Sequence, residues 1–119
     1  MTSVFVEIQN DELSPLAAQA IGAALQLGNE VNVIIIGENP SNAAEKAAVL
    51  EGVNKVIALK SSGFANYDSG VWAQALASVV DSEKILAVGT PIGMDLMARF
   101  AAHKNVGVVQ DVIEISNPN

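Results

Sequence analysis

The sequence has 119 residues, half of them hydrophobic, with thirteen acids against six bases and a formal net charge of −7. That length fits one domain of ordinary size, able to bury about two-thirds of its unfolded surface without a disulfide or metal staple. The acid excess argues against nucleic acid as a partner, and zero cysteines exclude thiol nucleophiles, iron–sulfur clusters and cysteine-ligated zinc.

In chain order, the opening Met1-Thr2-Ser3-Val4-Phe5-Val6-Glu7 lacks the basic region of a signal peptide. Ser3 to Ile8 instead reads as a strand, rich in β-branched and aromatic residues. A polar loop, Gln9 to Leu13, leads to Ser14-Pro15, where Ser14 caps a helix and Pro15 takes its first position. Leu16, Ala20, Ile21, Ala24 and Leu27 lie at helical spacing, and Gly28 is a natural stop. Val31 to Ile36 is nearly all apolar, as a strand covered on both faces should be. Its apolar run Val33-Ile34-Ile35-Ile36-Gly37 is far short of the roughly 18 residues of a membrane span, although the mean hydropathy is +0.36.

The rhythm then repeats. Ser41 caps a helix from Asn42 to Glu51 with Gly52 just beyond it, and Asn54 to Leu59 forms the next strand. Asp68 or Ser69 caps a helix with Val71, Trp72, Ala75, Leu76, Val79 and Val80 on one face. Lys84 to Gly89 is the fourth strand, Asp95 to Lys104 the fourth helix and Val106 to Val109 the fifth strand. Val112 to Ile115 is a further strand candidate, and Ser116 to Asn119 is turn chemistry. Strands alternating with helices imply βαβ crossovers. The expected fold is therefore α/β, a three-layer, open, doubly wound parallel sheet of about five strands in one domain, residues 1–119.

Ligands of such sheets bind beyond the carboxyl ends of the strands, near the switch in strand order. The most informative loop there is Gly89-Thr90-Pro91-Ile92-Gly93-Met94-Asp95-Leu96. Gly89, Thr90, Gly93 and Asp95 are the cofactor-binding candidates, because glycines admit a close ligand and a following helix start can hold a phosphate. Gly-x-x-x-Gly is neither the dinucleotide fingerprint nor a P-loop. The competing reading is a tight strand-to-helix turn capped by Asp95.

Arg99, the sole arginine, follows Asp95 by four residues. It is either half of a solvated ion pair within the helix or an interface arginine. His103, near that helix's C-terminus, is the only histidine, so a multi-histidine metal site is excluded. It has no nucleophile pattern nearby, so no catalytic residue and no metal ligand is assigned. Five aromatics, Phe5, Phe64, Tyr67, Trp72 and Phe100, are too few for base-stacking platforms. In the first loop, Asp11 and Glu12 repel phosphate and read as a solvated turn. A receiver-type phosphoacceptor fails because Leu59-Lys60-Ser61 stands where an aspartate is needed. Flavodoxin-like mononucleotide binding fails because the first loop is acidic.

The segment Val88-Gly89-Thr90-Pro91-Ile92-Gly93-Met94-Asp95-Leu96-Met97-Ala98-Arg99 resembles a characteristic stretch of electron transfer flavoprotein alpha subunits. Thr90, Gly93, Asp95, Leu96 and Arg99 match that stretch, whereas Met94 replaces a basic residue and Ala98 a proline. Leu13-Ser14-Pro15 is similar to the start of the family's first helix, Gly52-Val53-Asn54-Lys55-Val56 to its Gly-Val-Asp-Lys-Val strand opening, and Gly107 to Val112 to a later strand that ends in an aspartate. The likeness runs in order through essentially all of the chain.

The resemblance implies a Rossmann-like domain of the adenine-nucleotide alpha-hydrolase-like type, and an electron carrier component rather than an enzyme. It implies FAD in the full-length protein, held mainly by a separate C-terminal domain and not by this chain alone. It further implies a heterodimer with a beta subunit, and electrons passing from flavin dehydrogenases, as in fatty acid beta-oxidation, to a membrane-bound quinone oxidoreductase. The expected compartment is the cytoplasm, or the mitochondrial matrix in a eukaryote, with no membrane contact of its own. On this reading the chain is an N-terminal scaffold domain, truncated before the FAD-binding segments, with Arg99 as its interface candidate. The alternative is a stand-alone adenine-nucleotide-binding domain of the universal-stress type, holding AMP. Such domains follow Gly-x-x-Gly with Gly-Ser or Gly-Thr; here Gly93 is followed by Gly107-Val108, so that cradle is incomplete. A small hydrolase would need a nucleophile–base pair that one histidine and no cysteine barely permit.

Overall fold

Each apolar run of the sequence becomes a strand and each alanine-rich or amphipathic run a helix in the computed structural model, which describes residues 2–9, 12–14, 16–26, 31–50, 52–80, 84–88, 91–104, 107–109 and 112–116. The strands are β1 (Thr2–Val6), β2 (Ile8–Gln9), β3 (Glu12–Leu13), β4 (Val31–Gly37), β5 (Val53–Lys60), β6 (Lys84–Val88), β7 (Gly107–Val109) and β8 (Val112–Ser116). The helices are α1 (Ala17–Leu25), α2 (Ser41–Ala48), α3 (Ser69–Val79) and α4 (Pro91–Lys104), with a short 3-10 turn at Ser62–Phe64.

The main sheet runs β5-β4-β1-β6-β8-β7, and its first four strands are parallel. Val4 lies beside Val33 on one neighbour and Leu86 on the other. Both β1 and β4 are buried along their whole length, because helices cover both faces of the sheet. Val4, Val6, Val33 and Ile35 point to the α1 and α2 side. Phe5, Ile34, Ile36 and Ile85 point to α3 and α4, following the strand's period of two.

Differences from the expected pattern sit at element ends. The polar loop Gln9–Leu13 contains a short antiparallel pair, β2 with β3. Helix α1 opens at Ala17, yet Ser14 still organises its start. Its Oγ accepts from Leu16 N at 3.3 Å, and its carbonyl from Ala17 N at 3.0 Å. Pro15, Leu27 and Gly28 lie outside the described residues.

Ser41 is the first residue of α2 rather than its cap. Pro40 precedes it with φ −84°, already near the helical value that its ring imposes. The α2 helix ends at Ala48, not Glu51. The Asp68 cap of α3 forms as expected, its Oδ1 accepting from Val71 N at 3.1 Å. On that helix Trp72, Ala73 and Leu76 are the buried residues, while Val71 is exposed.

The largest shift is in α4, which begins at Pro91 and not at Asp95. Proline suits the first helical position, where its missing N–H leaves no bond unmade. At the far edge, β8 folds back antiparallel between β6 and β7, extending the parallel sheet with a hairpin. Ser116, expected in a turn, ends β8.

Candidate functional site

Strand order reverses at β1. The chain winds outward through β4 to β5, then returns to place β6 on the other side of β1. The crevice expected there is lined by Phe5, Val6 and Glu7 from the end of β1, by Ser14, Leu16 and Ala17 around the start of α1, and by Gly93. Its free volume is about 10 Å³, the space of roughly one water molecule. Gly93 is a buried helical residue in the first turn of α4, not part of a loop. Gly89 and Thr90 lie outside the described residues. From Pro91 onward the expected Gly89–Asp95 loop is regular helix.

Asp95 does not cap that helix. It lies in the second turn of α4 and accepts a 2.7 Å hydrogen bond from the Tyr67 hydroxyl, tying the segment before α3 to α4. Burial first, and then this bond to a carboxylate, raise the Tyr67 pKa above its ordinary value of 10.0, so the hydroxyl stays a donor. Arg99, one turn further along α4, opposes that rise through its positive charge. Among the described residues no Asp95–Arg99 ion pair forms; the ion pair present joins Lys46 to Glu12. Arg99 remains on the exposed side of α4 with Pro91, Met94, Ala98 and Ala102. His103 is in the same helix, and its side chain lies outside the described residues.

Three groups escaped the sequence reading. Glu12, expected in a solvated turn, accepts from Asn42 Nδ2 at 2.7 Å and from Lys46 Nζ, clamping the β2–β3 hairpin to α2. The Lys46 bond is the main cause that lowers the Glu12 pKa. Nothing at Glu12 in the sequence announces partners thirty and thirty-four residues away. Tyr67 was read only as a scarce aromatic, and no spacing rule links it to Asp95. Trp72 was placed on the apolar face of α3, which is right for its ring. The fate of its indole nitrogen was invisible: Nε1 is buried with no hydrogen-bond partner among the described residues. Phe5, Phe64 and Tyr67 surround the indole in edge-to-face contacts, with ring centroids 6.4, 6.2 and 5.1 Å away. Among the described residues no group of three or more His, Cys, Asp or Glu side chains could hold a metal ion.

Comparison with known proteins decides among the readings that this geometry leaves. The family model described as the electron transfer flavoprotein domain matches residues 2–118. The chain belongs to that family. An electron transfer flavoprotein subunit alpha from Pseudomonas aeruginosa is 27% identical over 117 residues, covering 98% of this chain and 38% of the relative. A probable mitochondrial alpha subunit from Caenorhabditis elegans is 30% identical, covering 97% and 36%. The mitochondrial alpha subunit of Oryza sativa is 32% identical, covering 98% and 35%. The chain thus spans little more than a third of the curated flavoprotein subunits it matches. These relatives, bacterial and mitochondrial, are named as electron transfer flavoprotein alpha subunits. No helix of the described residues is long and apolar enough to cross a membrane.

Proposed function

We propose that this chain is the N-terminal scaffold and interface domain of an electron transfer flavoprotein alpha subunit. It forms one domain over residues 1–119 and assembles with a beta subunit. It supports electron transfer through FAD, from flavin dehydrogenases toward a respiratory-chain acceptor, without catalysing a reaction itself. It works in the cytoplasm, or in the mitochondrial matrix of a eukaryotic source.

The observation that carries this reading is the outer side of α4. Pro91, Met94, Ala98, Arg99 and Ala102 are exposed there at helical spacing, and Met94 is 50% accessible. A helix face made of methionine, alanines and one arginine is poor in charge, and Met and Arg are enriched where proteins meet. Asp95, the acid on that face, is already held by Tyr67.

FAD itself does not fit the described residues at the switch point. The crevice there has room for about one water, and Gly93 is helical. The flavin is accordingly assigned to other parts of the full-length protein. The same crevice lends no support to an AMP-binding domain of the universal-stress type.

The experiment is co-purification of the chain with a beta subunit from one of its relatives' complexes. Arg99→Ala and Met94→Glu should each weaken the complex while leaving the melting temperature of the free chain nearly unchanged. Equal losses of assembly and monomer stability would assign Arg99 a local structural role. A flavin absorbance band retained by the isolated chain would sink the scaffold reading.

A further inference from the structure

A second opening lies apart from the switch-point crevice. Beyond the carboxyl ends of β4 and β5, an open cleft of about 310 Å³ is lined by residues including Ile8, Gly37, Glu38, Asn39, Phe64 and Trp72. That volume is at the lower end of small-molecule pockets, roughly 300–1,000 Å³. Trp72 is nine-tenths buried, and its Nε1 has no hydrogen-bond partner among the described residues. Buried donors are rarely left unpaired, and each exception needs a reason. The indole cannot easily turn to find a partner, because Phe5, Phe64 and Tyr67 hold it on several sides. The Tyr67 hydroxyl already donates to Asp95.

We propose that this cleft binds a small neutral molecule carrying a carboxamide or cyclic amide. Its carbonyl oxygen accepts from Trp72 Nε1, and its N–H donates to the Glu38 carboxylate at the exposed mouth. The chemistry of the walls selects that class. Glu38 repels anions, and no lysine or arginine stands among the described lining residues. An ammonium ligand would satisfy Glu38 but set a second donor against the indole N–H. An amide offers both an acceptor and a donor on one flat group, suited to the aromatic wall made by Phe64. Nε1 is screened from solvent, so one wall must yield as the ligand seats. The wall whose shift would admit the ligand is the exposed pair Ser62-Gly63 of the 3-10 turn, with Phe64 staying against the indole.

The sole tryptophan provides the test, which is independent of assembly with a beta subunit. The 119-residue chain, labelled with ¹⁵N, gives one indole N–H resonance and one tryptophan emitter. Nicotinamide is titrated as the probe, against nicotinate as the anionic control at neutral pH. The expected result is a saturable shift of the indole resonance with nicotinamide and about tenfold weaker binding of nicotinate. Glu38→Gln should narrow that preference, since the exposed carboxylate causes it. Trp72→Phe, checked for retained fold by circular dichroism, should weaken nicotinamide about tenfold by calorimetry, the loss of one hydrogen bond. If Trp72→Phe fails to fold, the indole shift and the Glu38→Gln arm decide. An indole resonance that stays fixed throughout the titration overturns the proposal. Equal binding of the two probes by the unmutated chain overturns it as well.

Discussion

The two faces of the sheet are packed by opposite means. Toward α1 and α2 the strands present mostly valines, and the helices answer with Ala17, Ala20, Ala24, Ala43 and Ala47. Toward α3 and α4 they present Phe5, Ile34, Ile36 and Ile85, and the helices answer with Trp72, Leu76, Leu96, Met97 and Phe100. Alanine-faced helices lie close to the sheet, whereas large side chains hold theirs further away. The second arrangement holds the aromatic cluster around Trp72. The cleft beside that tryptophan opens at the strand ends, where Ile36, Phe64 and Trp72 of this side line it together with Ile8. The thin side instead provides a close-packed backing with few large side chains to remove.

The contrast implies that one face fails when atoms are removed and the other when atoms are added. Phe5→Ala should therefore be the most damaging change, because Phe5 is 1% exposed and underlies Trp72. The expected loss is about 3–5 kcal/mol, seen as a fall in melting temperature of roughly 4 °C per kcal/mol. A loss below about 1.5 kcal/mol would mean that the aromatic cluster collapses to fill the space, and that the deep face is not rigidly packed.

On the thin face the comparable probe is Ala24→Leu. Ala24 is fully buried between α1 and the sheet, so three extra heavy atoms must displace the helix. Overpacking of this kind costs about 1–3 kcal/mol. A leucine accepted at Ala24 without loss, in the same thermal melts, would show that α1 stands further off than its alanines indicate. Smaller still is the effect of Gly52→Ala, beyond the end of α2. Gly52 has φ +87°, and an added Cβ would lie 2.7 Å from the Leu25 side chain. Leu25 ends in flexible methyl groups and can move, so the backbone conformation dominates, at about 1–2 kcal/mol for a left-handed residue. Chemical denaturation at a single temperature resolves a change of that size.

Much of this architecture was legible in the sequence because periodicity reports burial directly. Val31 to Ile36, apolar at nearly every position, could only be a strand covered on both sides. Asp68 and Ser69 were both cap candidates for α3, and Asp68 caps it through a local bond between residues three apart. Pro91 misled in the other direction. Set between two glycines in Gly-Thr-Pro-Ile-Gly, it read as part of a loop, although proline equally suits the first turn of a helix. The groups that matter to the sites were less visible. Tyr67 meets Asp95 and Glu12 meets Lys46 across about thirty residues of chain, through packing that no local pattern encodes. The unpaired Trp72 Nε1 is defined by what surrounds it, so only three-dimensional placement reveals it.

The smallest expected effect concerns how the hairpin is attached to the thin face. Ile8 and Leu13 of the β2–β3 pair pack against the alanine-lined cluster, and Glu12 adds polar bonds to Lys46 and Asn42 on α2. The Lys46 hydrogen bond, with its charge and the Asn42 bond assisting, holds the Glu12 carboxyl below its ordinary pKa of 4.5. A carboxyl depressed in the folded state stabilises the fold above its unfolded value, near 4.5. That contribution disappears as the pH falls through the lower folded value. Melting temperatures measured from neutral pH downward should therefore fall less steeply below 4.5 for Glu12→Gln than for the unmodified chain. Near neutrality the two should differ only slightly, since the pair is exposed to solvent and screened by salt. Parallel acid limbs for the two proteins would mean that apolar packing of Ile8 and Leu13 alone fixes the hairpin, and that the thin face carries no electrostatic tie.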